Sequence, residues 1–369
     1  MKSILLLTHD TSLSGAPKSI LLIFEQLIKK NYSITTVALK GGGKLEERFR
    51  QLSTRYYRLD EKSIYTPYTV SNRLKKKLVG KPILSDYEKC LKEISTTKFD
   101  FIYCNTIVCL SLGQLLKERI GCKLILHVHE LGTVIDEFCP KLGQFDDFID
   151  VYIVPSELNK KCLIENYAIS KDKIQLIRET TDFNEKIKIK NSSPYIHVLM
   201  CGGAYWRKGD DLFILIARAI LNKDNRFRFY WLGHLSEERR RVNLADIEKL
   251  GLTNFVFFEE ETENPLNRYL KSDLFLLSSR EDPFPLAAIE AGMLGLPIFC
   301  FDQATGIAEV IDAFCVVPYL DIEEMAHRIV TLALDPICLE KLSEENKLRF
   351  SKFAPDVIST EINNLFQTL

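Results

Sequence analysis

The stretch "SILLLTHDTSLSGAPKSILLIFEQLIKKNYSITTVAL" (residues 3–39) decides the fold class. Its first piece, "SILLLTH", is a short apolar run of strand length, and a polar loop containing Gly15 follows it. "APKSILLIFEQLIKK" then has the length and pattern of a helix, and "SITTVAL" is short and β-branched again. Strand, helix and strand in that order predict parallel strands joined by a crossover helix.

The same alternation continues along the chain. "KLEERFRQL", "FDFIYCN" with "VCLSLGQLLKERIG", "KLILHVH", and "VYIVPS" with "ELNKKCLIENY" carry it to about residue 190. The polar stretch "IKIKNSSP" (187–194) breaks the pattern and predicts a linker. A second series then begins: "YIHVLMCG", "DDLFILIARAIL", "RFRFYWLG", "NFVFFEE", "PLNRYLKS", "DLFLLSS", "LAAIEAGMLG" and "PIFCFD". The remaining "DPICLEKLSEENKLRFSKFAPDVISTEINNLFQTL" is helical, with a break at Pro355. The expected architecture is therefore α/β, with two Rossmann-like doubly wound domains at 1–190 and 191–345 and terminal helices at 346–369. Two such domains would leave an interdomain cleft at the carboxyl ends of both sheets, where open α/β folds bind ligands.

Composition narrows the class. A chain of 369 residues, 46% hydrophobic and 27% charged, is ordinary for a globular protein and longer than one core usually serves. Ten cysteines without a C-x-x-C pair, and no charged segment leading into an apolar one at the start, point to a reducing cytoplasmic setting. The apolar runs are too short to span a bilayer. Net charge is −1, but residues 1–190 carry about eight more basic than acidic groups and the rest about nine fewer. The basic surplus peaks in "NRLKKKLVGK" (72–81), where Arg73, Lys75, Lys76, Lys77 and Lys81 either form a solvated helix face or meet anionic lipid at the inner face of a membrane. No basic, aromatic-rich face suggests nucleic acid.

The chemistry concentrates in "SSREDPFPLAAIEAG" (278–292). Leu286, Ile289 and Met293 form an apolar helical stripe, and Glu290 falls on the same side, so a carboxylate is expected half buried. Such a group needs hydrogen bonds; its two oxygens could accept both hydroxyls of a vicinal diol such as a ribose, or be held by a cap or ion pair within the domain. Asp282 before Pro283 suits a helix N-cap, or alternatively a sugar hydroxyl. Pro283 and Pro285 stiffen the elbow, and amides from Leu286 onward lie at a helix start, where anions bind.

The run D-P-F-P-L-A-A-I-E from Asp282 to Glu290 resembles the E-x7-E region of the retaining glycosyltransferases of family GT4, whose fold is GT-B. The resemblance implies that Glu290 takes the nucleotide ribose, that Asp282 meets the transferred sugar, and that Glu281, Phe284, Pro285 and Leu286 line the donor. "CGGAYWRKGDDLFILIA" (201–217) resembles the family's phosphate-binding segment: Lys208 would neutralise the leaving diphosphate and the Gly202–Gly203 turn would let the backbone approach. Gly203 stands where the family has an arginine, and Arg207 is the candidate replacement. "DQATGIAEVI" (302–311) resembles the loop whose amides hold the diphosphate and sugar, at Thr305, Gly306 and Ile307.

In the first domain Gly15 resembles the glycine of the family's donor loop; "GAPKS" is not a Walker A motif, because Pro17 stands where the glycine before the lysine is required. His129 in "HVHE" resembles the strand-end histidine near the reacting sugar, with Asn105 and Glu130 on the acceptor side. "LIRETTDF" lacks the family's hinge proline and glycine, and the last helix resembles the one that crosses back onto the first domain.

The implied reaction transfers a sugar, with retention, from a nucleotide diphosphate sugar to a hydroxyl of a glycan or lipid-linked glycan, in cell-surface polysaccharide synthesis. The family requires no metal or other cofactor; the adjacent acids of "FDDFID" (145–150) precede a strand and read as solvated. Closure of the two domains would exclude water. The rival readings are a sugar-nucleotide epimerase and a non-catalytic sugar-nucleotide-binding subunit.

Overall fold

A computed structural model describes residues 1–59, 86–182 and 193–369, with 86 and 87 as backbone only. The basic stretch 72–81 and residues 187–192 of the expected linker lie outside the described residues. The chain divides into two compact units: Met1–Pro155, Asn159–Ile177 and Pro355–Leu369 form the first, and Ser156–Leu158 with Arg178–Ala354 the second.

In the first unit the described strands are β1 (Lys2–Thr8), β2 (Tyr32–Ala38), β3 (Arg55–Arg58), β4 (Phe101–Asn105), β5 (Lys123–His127), β6 (Val151–Val154) and β7 (Ile174–Leu176). They lie in the order β3-β2-β1-β4-β5-β6-β7, every pair parallel. Ile4, Leu5, Leu6 and Leu7 of β1 are all buried, so both faces of the strand are covered, as a parallel sheet between helices requires. The helix Gly15–Lys29 buries Ile20, Ile23, Phe24 and Leu27, one face at helical spacing. It stops where Asn31 turns left-handed at φ 69°, a conformation asparagine tolerates, and β2 starts one residue later. The helix Pro355–Thr368 packs on this unit: Phe366 stacks on Phe101 with ring centroids 4.9 Å apart, and the Tyr32 hydroxyl donates to Asn363 at 3.0 Å.

The second unit contains β8 (Ile196–Cys201), β9 (Phe227–Leu232), β10 (Val256–Glu259), β11 (Leu274–Leu277), β12 (Ile298–Phe301) and β13 (Val316–Val317). Their order is β10-β9-β8-β11-β12-β13, again parallel throughout. This is the doubly wound arrangement in which strand order reverses between β8 and β11, the place where ligands enter such sheets. The first unit reverses likewise between β1 and β4.

The units divide at positions that differ from the expected 190/191 and 345/346. Arg178 pairs with Glu309 at 2.7 Å, and the Thr180 and Thr181 hydroxyls donate to the Phe353 carbonyl and Glu290 at 2.6 and 3.2 Å, which draws residues 178–182 into the second unit. Residue 345 falls inside the helix Pro336–Phe350, whose Phe350 ring lies where a Cβ on Gly292 would be, so that helix stays with the second unit to its end. Among the described residues no helix is long and apolar enough to cross a membrane.

Candidate active site

The carboxyl end of β8 runs into Gly202, whose φ of 150° is open to glycine and strained for other residues. The Trp231 indole donates to the Gly202 carbonyl at 2.8 Å and fixes that turn. Residues 206–208 form a single tight turn, closed by Gly209 in the left-handed region at φ 70°. A Cβ on Gly209 would stand 2.1 Å from the Ser278 carbonyl, so only glycine lets the two backbones meet here. The contact continues as a zipper. Arg280 and Glu281 donate their amides to the Arg207 carbonyl at 2.8 and 3.2 Å, and the Ser278 hydroxyl donates to the Lys208 carbonyl at 3.2 Å. The segment after β8 and the segment after β11 are thus one construction, built across the point of reversal.

That construction sets Lys208 against Asp282. The lysine stem passes over Gly202, its ammonium donates to Asp282 Oδ2, and the Ser279 hydroxyl donates to the same oxygen at 3.3 Å. The Asp282 side chain is only 5% exposed, so the cation and Ser279 compensate a carboxylate removed from water. Asp282 is not a helix cap: the helix Leu286–Met293 starts after Pro285, and the Asp282 amide bonds the Ala304 carbonyl at 2.8 Å. Arg207 reaches the same place. Its Nη1 donates to the Glu281 carbonyl at 3.0 Å and lies 3.9 Å from Asp282 Oδ1.

Glu290 is buried, more deeply than half. Thr181 donates to Oε1 at 3.2 Å and the Tyr269 hydroxyl to Oε2 at 2.9 Å. Burial and the neighbouring Cys201 and Glu290 push the Tyr269 phenol far above its ordinary range, so it stays a proton donor. The "RETT" segment that lacks the hinge residues therefore has a definite role, in that Thr181 holds the carboxylate.

Several expected donor residues have other duties. Phe284 is buried edge-on against Phe353 with centroids 5.4 Å apart and lies under the Arg178 guanidinium, so it packs the elbow. The Gly306 amide donates to the Pro283 carbonyl at 2.9 Å and the Ile307 amide to the Thr305 hydroxyl at 3.2 Å, so two of the three amides expected to hold a diphosphate are engaged within the unit. A Cβ on Gly306 would stand 2.3 Å from Ser156 Cβ and 2.6 Å from the Pro283 carbonyl oxygen, which accounts for this glycine by packing. Thr305 pairs with Asp282 in a parallel bridge. Pro285 and Leu286 open their helix as expected, and no side chain caps it.

In the first unit, register places Thr8 beside Asn105 and Asn105 beside His127 in one row at the carboxyl ends of β1, β4 and β5. Two residues beyond, His129 Nε2 lies 2.9 Å from Asn105 Oδ1, and the ring sits 3.9 Å centroid to centroid from His127. His127 is fully buried, with Nδ1 2.8 Å from the Tyr103 hydroxyl, whereas His129 is half-buried. Glu130 turns back to accept the His129 amide at 2.8 Å. Gly15 is exposed at the first residue of its helix. His9 stands beside Asp10 at 3.5 Å; burial lowers its pKa, against the opposing pull of that carboxylate.

Residues 181–349 match the family described as glycosyl transferases group 1. This segment is a group 1 glycosyl transferase domain. An exopolysaccharide phosphotransferase of Streptomyces coelicolor is 31% identical over 127 residues, 33% of this chain and 14% of that one. The chain thus spans a small part of that relative's length. The O-antigen biosynthesis glycosyltransferase WclY of Escherichia coli is 25% identical over 310 residues, 77% of this chain and 82% of that one. Among solved structures, HepE of Anabaena, crystallised with UDP and glucose, superposes at a TM-score of 0.80 with 16% identity over 100% of both chains. At that identity the likeness concerns the fold, which is GT-B.

Several residues of the group 1 domain escape sequence reasoning. Gly209 has a legible signal, a glycine directly before the acidic first turn of the helix Asp210–Leu221. Ser279, Thr181 and Tyr269 have none, because each acts on a partner fixed only by the tertiary fold.

Proposed function

We propose that the protein is a retaining GT4-type glycosyltransferase that uses a nucleotide diphosphate sugar. The observation that carries this reading is the cation pair Arg207 and Lys208 gathered with Asp282 at the point of strand reversal, in the same unit as the buried carboxylate Glu290. Each carboxylate oxygen has a second lone pair, so Glu290 can accept a ribose diol while Thr181 and Tyr269 hold it in orientation. Lys208 and Arg207 would take the diphosphate, assisted by the helix start at Leu286, with Gly202 and Gly203 allowing close approach. Asp282 and Glu281 would take the sugar, with Thr305, Gly306 and Ile307 shaping the wall behind them. Gly15 would let the backbone approach the donor, and the acceptor is assigned to the first unit, with Glu130 in contact with it and His129 binding a sugar hydroxyl.

In the reaction the bond from the anomeric carbon to the diphosphate oxygen breaks and a bond from that carbon to the acceptor oxygen forms on the same face. The acceptor proton passes to the departing diphosphate, whose growing charge Lys208 and Arg207 stabilise. UDP and glucose in the HepE crystal support a uridine diphosphate sugar as the first donor to try, and the O-antigen relative supports a surface glycan as acceptor.

The test is a thermal-shift panel of nucleotide diphosphate sugars, followed by incubation of the stabilising donor with glycan and lipid-linked acceptors. Product whose anomeric configuration matches the donor supports the reading. An inverted product removes the retaining assignment, and an epimerised donor formed without any acceptor replaces it with an isomerase.

A further inference from the structure

The carboxyl ends of β4 and β5 hold a buried amide bonded at both ends and, directly after it, a residue in an unfavourable conformation. Asn105 is fully buried. Its Nδ2 donates to the Ala16 carbonyl at 3.1 Å. A carbonyl only accepts, so this bond settles which way the amide points and turns Oδ1 toward His129 Nε2, 2.9 Å away. An amide oxygen also only accepts. Nε2 of His129 therefore carries a proton.

Thr106, the next residue, has φ 132° and ψ 161°, a region that glycine enters easily and a β-branched residue enters only when its surroundings hold it there. It is 3% exposed, and its carbonyl accepts the Cys109 amide at 3.2 Å. This twist follows the residue whose side chain joins the start of the Gly15–Lys29 helix to His129, two residues beyond β5. Strain held at such a point is characteristic of a site that must keep one geometry.

We propose that Asn105 is a positioning residue that keeps a proton on Nε2 of His129 and ties the ring to the first turn of the Gly15–Lys29 helix. Asn105 itself, with no exposed surface, touches no ligand, which replaces its expected place among the acceptor contacts. The effect on turnover rests on the glycosyltransferase reading, whereas the proton on Nε2 does not.

The experiment reads that state directly. Nitrogen-15 NMR of the histidine side chains in the full chain, without ligand and at neutral pH, with the His129 signals assigned by loss in His129→Gln, should show a proton on Nε2. Asn105→Leu, which removes both bonds while keeping the bulk, should give a mixture of tautomers, and kcat should fall roughly tenfold or more with donor KM within about twofold. A wild-type His129 without a proton on Nε2, or a ring state unchanged in Asn105→Leu, overturns the proposal. If Asn105→Leu does not fold, Asn105→Asp decides: it still accepts from Nε2–H, so a His129 without that proton overturns the proposal and one with it supports it. A protein inactive with every donor and acceptor but with the expected tautomer would sink the glycosyltransferase reading and leave this assignment standing.

Discussion

Replacing Lys208 by methionine should separate the two duties of that side chain. The Asp282 side chain is 5% exposed and that of Lys208 12%, so the variant leaves a buried carboxylate without its nearest cation. Removing one partner of a buried pair usually costs about 3–5 kcal/mol. Here Ser279 still donates at 3.3 Å and Arg207 remains 3.9 Å away, which places the loss at the lower end, about 3 kcal/mol. Methionine retains most of the stem that crosses Gly202, so lost packing adds little. The assay is urea denaturation followed by tryptophan fluorescence. Both tryptophans of the chain, Trp206 and Trp231, lie in the second unit, and the transition therefore reports on that unit alone. Adding Asp282→Asn removes the stranded charge and should restore most of the stability. Turnover should stay low in both variants, by about 100- to 1,000-fold, because the leaving diphosphate lacks its cation. A Lys208→Met protein with wild-type urea resistance would refute the buried-pair argument. A double variant that regained turnover along with stability would show that Lys208 only neutralises Asp282.

Glu290→Gln keeps the shape of the side chain and removes the charge, so donor affinity measured by calorimetric titration should weaken roughly tenfold to a hundredfold, the worth of a hydrogen bond to a charged group. Equal affinity would mean that Glu290 does not touch the donor. Gly209→Ala should destabilise the second unit by about 2 kcal/mol or more in the same fluorescence assay, since it adds a left-handed alanine to a Cβ placed 2.1 Å from a carbonyl oxygen. His9 has its pKa lowered below the ordinary 6.5 by burial, so protons favour the unfolded chain. Its contribution should be intact above about pH 6.5 and lost as pH falls through the lower folded value, and the thermal midpoint of His9→Asn should depend less on pH than that of the wild type over this range. Equal dependence in the two proteins would remove His9 as a source of acid sensitivity.

The strands and crossover helices were legible because each carries its own period. A run such as Ile4 to Leu7, of strand length and ending in a polar loop, reads as a strand covered on both faces. Glu290 was legible as a buried acid from its place on an apolar stripe. Its partners were not, since Thr181 and Tyr269 are 109 and 21 positions away and meet it only through the fold. The same limit misplaced the boundary after the first domain. Composition marks a polar linker, whereas side-chain bonds from Arg178, Thr180 and Thr181 decide which unit a segment joins. Gly306 shows the opposite error, a glycine whose motif suggests a ligand and whose surroundings require it for packing.

Gly203 brings the two kinds of information together. The resemblance to GT4 enzymes places an arginine there, and the sequence left open how a chain with glycine at 203 could supply a guanidinium. The Tyr205 ring fills the vacant position: a Cβ on Gly203 would be 2.7 Å from its Cε1. Arg207 then lies over that ring, 5.5 Å from the centroid, with Nη2 3.3 Å from the tyrosine hydroxyl and Nη1 beside Asp282. Glycine at 203, tyrosine at 205 and arginine at 207 thus depend on one another. An arginine restored at 203 would have to move the Tyr205 ring that carries Arg207, so that single substitution would disturb one guanidinium while adding the other.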